Sequence, residues 1–159
     1  MTTFGTYVHT VIEQAGHHAG EDGSATIEAQ HLLLAVAAQQ GTTAHQVLTS
    51  VGLDQQAIHE ALEREFDHSL RAAGVSRAAF NLPQPSGDPE PSARIGASAK
   101  LALERGVAAA ARKQDLQSAH LLLGILEAGA GTVPRALALA GIDQADLTAR
   151  VRQALADEQ

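Results

Sequence analysis

His31-Leu32-Leu33-Leu34 and His120-Leu121-Leu122-Leu123 are the same four residues met twice. The interval between them is matched by a second pair. Gly52-Leu53-Asp54-Gln55 recurs at the same spacing as Gly141-Ile142-Asp143-Gln144. The segments joining the two blocks therefore have equal length in both copies. Upstream, Phe4-Gly5 pairs with Ile95-Gly96, and Glu13 with Glu104, if one connection in the second copy is slightly shorter. Ordered blocks recurring at a fixed interval identify an internal repeat.

Working outward from these blocks, each copy reads as four helices. Val8, Val11, Ile12, Ala15 and Ala19 form one apolar stripe at helical spacing. Their counterparts Ala99, Ala102, Leu103, Gly106 and Ala110 form a stripe of smaller residues. The His-Leu-Leu-Leu blocks open a second helix, for which Ser118 offers an N-capping hydroxyl in the second copy. A third helix carries Ala44, Val47, Leu48 and Val51 and ends at Gly52, whose freedom suits a left-handed C-terminal position. Asp54 then caps a fourth helix with Ile58, Ala61, Leu62 and Phe66 on one face. Gly141 and Asp143 repeat this stop and start, and Pro134 falls in a first helical turn, where proline is tolerated. No stretch alternates as a strand would.

Four of the five prolines (Pro83, Pro85, Pro89 and Pro91) lie between the copies, with Ser86, Gly87 and Asp88. That segment reads as a linker. The expected organisation is a first repeat over 1–66, a proline-rich linker over 67–92 and a second repeat over 93–159. The stretch from Leu70 to Phe80 either adds a short helix or extends the one before it. The fold class is all-α, with two four-helix repeats packed about a pseudo-twofold axis.

Composition supports this reading. Apolar residues make up 45% of the 159 residues but aromatics only 3%, so Leu, Ala, Val and Ile must fill the core. Alanine has the best helix propensity. Without cysteine there are no disulfides, thiolate metal sites or cysteine nucleophile. The formal charge of −7 leaves no basic footprint for nucleic acid. No apolar run approaches a membrane span, and the N-terminus has no signal-peptide pattern, so a cytoplasmic, non-membrane protein is expected. The abundant alanine and the presence of only two lysines suggest a bacterial source.

The chemistry-bearing residues do not assemble by spacing. Of eight histidines, His17 and His18 diverge on a helix, and His9 with Glu13 supplies at most two ligands on one face. No metal or cofactor is expected. His31 and His120 read as helix-start residues bonding nearby backbone or the other repeat. No serine has a nucleophile-elbow context, and no phosphate-cradling P-loop motif occurs. No catalytic residue is assigned, and the chain is read as a non-enzyme. A metal- or ligand-dependent enzyme using the histidines, and a helical DNA-binding regulator, are the weaker alternatives.

The repeat resembles the N-terminal domain of Clp-type unfoldases, the Clp N or Clp repeat family, in its ClpC/ClpA-type branch. The resemblance rests on Phe4, Ala15 and Ala19, His31-Leu32-Leu33-Leu34-Ala35 and Val51-Gly52-Leu53-Asp54 in the first copy. In the second it rests on Ala110, His120-Leu121-Leu122-Leu123-Gly124 and Ala140-Gly141-Ile142-Asp143. It implies a chaperone or proteolysis-accessory module that binds proteins or peptides of a Clp protease system: the ATPase, an adaptor or a substrate. Phosphoarginine and cyclic peptides are further ligands that it implies. The family's glutamate before the repeat histidine, which recognises phosphoarginine, is replaced by Gln30 and Ala119. Neither can offer a carboxylate to a guanidinium.

No ATPase motif is present, and the replacement of both family glutamates, by Gln30 and Ala119, favours a free-standing relative, with the N-terminal recognition domain of a full-length unfoldase as the alternative. Phe4 and Ile95 read as staples packing inward, or as the lining of a groove between repeats. If such a groove exists, the candidate ligand-binding residues are Phe4, Glu13, Gln30, Ile95, Glu104 and Ala119.

Overall fold

The computed structural model describes residues 3–74 and 94–158. Eight α-helices are present among them, four in each copy. The first copy holds α1 (Thr3–Glu21), α2 (Ala29–Ala38), α3 (Thr43–Ser50) and α4 (Gln55–Ala72). The second holds α5 (Ala97–Ala109), α6 (Ser118–Leu126), α7 (Thr132–Leu139) and α8 (Gln144–Asp157), with a 3-10 turn at Lys113–Asp115. No strand is present among the described residues; an isolated parallel bridge joins Ile27 and Ile95. α4 continues past the expected boundary of the first repeat to Ala72. The proline-rich stretch lies within 75–93, outside the described residues.

The repeated blocks build repeated joints. Gly52 and Gly141 have φ of 79° and 77°. After each, the next residue's N–H reaches back to close the helix end: Leu53 to the Leu48 carbonyl at 2.8 Å, and Ile142 to the Leu137 carbonyl at 2.9 Å. Only glycine takes this left-handed position without steric cost. Asp54 then accepts from the Ala57 N–H, and Asp143 from those of Ala145 and Asp146.

The His-Leu-Leu-Leu helices form the centre. α6 is buried along its whole length, and α2 is buried at every position except Gln30 and Ala38. A helix apolar on all sides must be covered on all sides. α1 covers α2 and α5 covers α6, while α2 and α6 touch each other. The outer helices are exchanged: α3 packs on α8, and α4 on α7. One core therefore runs through both copies, from Val11 and Leu33 to Leu122 and Val151.

The two copies differ at the contact between their first two helices. Where the first has Ala15 and Ala35, the second has Gly106 and Gly124. A Cβ on Gly124 would collide with the Ala102 carbonyl oxygen and lie 2.6 Å from the Gly106 nitrogen. α5 and α6 therefore approach backbone to backbone.

Two local expectations are corrected. The N-cap of α6 is Gln117; Ser118 is the first helical residue, and its hydroxyl accepts from the Ala44 N–H of α3 at 3.1 Å. Phe66 is exposed, because α4 turns the neighbouring Glu65 inward to meet Arg135 of α7 at 2.9 Å.

Candidate functional site: a cleft between the repeats

The repeat histidines shape the helix starts that border this site. The Glu28 N–H donates to His31 Nδ1 at 2.9 Å, and the Gln117 N–H to His120 Nδ1 at 3.1 Å. Each imidazole thus satisfies an N–H that precedes its helix. With Nδ1 accepting, the His31 proton sits on Nε2 and donates to Asp22 Oδ2 at 2.6 Å. His31 is a structural clasp between the end of α1 and the start of α2.

Directly beside this clasp the copies cross-bond. The Ile27 N–H donates to the Arg94 carbonyl at 2.7 Å, and the Gly96 N–H to the Ile27 carbonyl at 2.8 Å. The Glu28 carboxylate reaches the first turn of α5, accepting from the Ser98 hydroxyl at 2.7 Å and the Ser98 N–H at 3.3 Å. Its other oxygen accepts from Thr26 at 2.5 Å. Ser98 in turn accepts from the Ala29 N–H at 2.8 Å. Partial burial works against charge on Glu28, but the hydrogen bonds from Thr26 and Ser98 outweigh it and hold the carboxyl below its ordinary range.

A cleft of about 480 Å³ opens next to this joint. The start of α2 forms one wall with Glu28 and Gln30, and α5 another with Leu101 and Arg105. The 128–131 loop and the first turn of α7 close it, ending at Arg135. Leu101, 46% exposed, gives the cleft an apolar side chain. Pockets of this kind, apolar with a few charged groups at the edge, suit peptide or small-molecule ligands. A smaller hollow of about 370 Å³ lies between α5, α6 and α8, with Glu127 and Arg152 at its rim.

Of the six residues expected around a groove, only Gln30 lines the cleft. Ile95 is 44% exposed rather than packed inward, although its bridge partner Ile27 is buried. Phe4 lies within α1, half-buried against Tyr7. Glu13 and Glu104 are exposed on α1 and α5. Ala119 is fully buried in the core and presents no surface to a ligand. Arg105, Arg135 and Leu101 were not singled out by the repeat, because none has a matching residue at its counterpart position. An arginine at helical spacing on an amphipathic segment looks like an ordinary solvated residue until the loop opposite it is placed.

Among the described residues no group of three His, Asp or Glu side chains converges as a metal set, and no helix is long and apolar enough to cross a membrane. A comparison with curated proteins returns no match. The model of the Clp repeat (R) N-terminal domain matches residues 3–105, covering the whole first copy and most of α5. With eight helices among the described residues in two interlocked four-helix copies and this match across most of its length, the chain belongs to the Clp repeat N-terminal domain family.

Proposed function

We propose that this chain is a non-catalytic protein- or peptide-binding module of a Clp protease system, taking an adaptor, a substrate segment or a peptide-like ligand in the cleft between its repeats. The observation that carries the reading is the cleft itself. Its walls come from α2 of one copy and from α5 and α7 of the other, with Leu101 left exposed inside it. Membership of a non-catalytic domain family points the same way. Gln30, which lines the cleft, is the first proposed ligand contact, and Phe4, Glu13, Ile95 and Glu104 are proposed as further contacts. Gln30 offers an amide where the related motif has a carboxylate, so a guanidinium would gain no charge-assisted bond there.

The test is a titration of the pure protein with a Clp ATPase of the same organism, a phosphoarginine peptide and the unmodified peptide. Association with the ATPase, or saturable binding of either peptide, is expected, and loss of peptide binding in Leu101→Asp would place the ligand in the cleft. No association with any of the three overturns the reading. A second reading, in which this is the recognition domain of a full-length unfoldase, is favoured by the N-terminal position that the family description gives the module. The gene sequence following the codon for Gln159 decides between the two.

A further inference from the structure

We infer that the cleft selects an acidic segment of a partner protein, with carboxylate side chains on Arg105 and Arg135 and a neighbouring apolar residue on Leu101. This rests on the reading of the chain as a peptide-binding module and adds the sign of the ligand.

The molecule as a whole carries −7, yet the charged side chains lining the cleft are two arginines and one glutamate. The glutamate is already committed. Both Glu28 oxygens are engaged by Thr26 and Ser98, so the carboxylate serves the start of α5. The arginines are not used up. Arg135 meets Glu65 through Nε, and the same Glu65 oxygen also accepts from Ser69. The terminal nitrogens of Arg135, whose side chain is 55% exposed, still carry donors. Arg105 has no ion-pair partner within 4 Å among the described residues.

Guanidinium donors form their strongest bonds with carboxylates, frequently two at once. Leu101 gives an apolar neighbour of that carboxylate a surface to cover. The acidic exterior does not cancel the effect. At physiological ionic strength charges beyond about 8 Å are screened, while arginines lining the cleft act at contact.

Three labelled peptides with the same apolar residues, bearing glutamates, glutamines or lysines, are titrated into the full chain. The glutamate peptide is expected to bind about tenfold tighter than its glutamine twin, the effect of one charge-assisted bond. The lysine peptide is expected to bind most weakly. Arg105→Gln should cut the preference by several-fold while leaving the melting temperature unchanged, since no ion pair is lost. Arg135→Gln should reduce it as well, its melting temperature being read alongside because the bond to Glu65 goes with it.

Equal affinity for the three peptides, or a preference that survives both substitutions, overturns the inference while leaving the peptide-binding reading intact. Silence towards all three with retained association to the Clp ATPase also overturns it alone. Silence towards peptides and ATPase together removes both.

Discussion

Glu28 caps a helix of the other repeat: its carboxylate accepts from both the hydroxyl and the backbone N–H of Ser98, in the first turn of α5. The bond joins residues far apart in the chain and fixes one wall of the cleft against the next. Glu28→Ala should therefore cost about 1 kcal/mol, in the range of a lost N-cap, read as a lower urea midpoint with an unchanged slope. Glu28→Gln keeps an acceptor and should lose less. A midpoint unchanged in Glu28→Ala would show that the cross-repeat cap contributes nothing.

Gly124→Ala should be strongly damaging. The added methyl meets backbone on α5, at the Ala102 carbonyl and the Gly106 nitrogen, and backbone cannot rotate away as a side chain can. Overpacking of this kind costs about 3 kcal/mol. Gly106→Ala meets the His120 carbonyl oxygen at 3.0 Å, a milder approach, and replaces a helical glycine by alanine. It should cost markedly less. Thermal melts of the two variants side by side decide this, and equal losses would mean that α5 and α6 slide apart readily.

The repeat was legible because each repeated block makes a local joint. Gly52, Asp54 and the histidines close or open helices through near neighbours, so their spacing alone reports the structure. What the sequence conceals is bonding across the copies. Ser118 resembles a cap for its own helix, yet it serves α3 of the other copy. Glu65 sits at a buried position that a polarity pattern assigns to solvent, and Arg135 of the other copy is what permits it there. The cleft falls in the same class. Gln30 borders it because it stands at a repeated helix start, whereas Arg105 and Arg135 enter it through the packing of α5 and α7.

Ser118→Ala tests that cross-copy bonding. It removes the acceptor for the Ala44 N–H, which is buried where the repeats meet. A buried donor left without a partner costs about 1–3 kcal/mol. In native-state hydrogen exchange, the Ala44 amide should lose protection by more than the global loss of stability explains. An Ala44 amide as protected as before would mean that the bond is replaceable.

Acidification should destabilise the fold in two stages. Burial lowers the affinity of His18 and His120 for a proton below the ordinary histidine value, more than nearby Glu21 and Asp115 raise it. The unfolded chain then binds more protons than the native one, so stability rises with pH. This part falls away as pH drops below about 6.5. Asp22 and Glu28 act lower down. Burial opposes their charge, but hydrogen bonds from His31 and Ser24 on Asp22, and from Thr26 and Ser98 on Glu28, hold both carboxyls below their usual range. Their contribution is complete above that range and is lost as pH falls through the depressed values. Urea midpoints measured across pH should fall in both windows, and Glu28→Gln should flatten only the lower one. A single transition confined to the carboxylate range would contradict the histidine part.

Tyr7→Phe should stabilise the protein. The Tyr7 hydroxyl is buried against the core and has no hydrogen-bond partner among the described residues, and burial raises its pKa well above the usual phenol value. An unpaired buried hydroxyl costs about 1–3 kcal/mol, and phenylalanine removes that group while keeping the ring. The ring's contact with Phe4, centroids 6.2 Å apart, does not depend on the hydroxyl and should survive. A gain of about 1 kcal/mol in Tyr7→Phe, seen as a higher melting temperature, is expected. A loss of similar size would show that the hydroxyl is satisfied in solution, by an ordered water or by a slight turn of α1, and that the start of this helix is held by a polar bond as well as by packing.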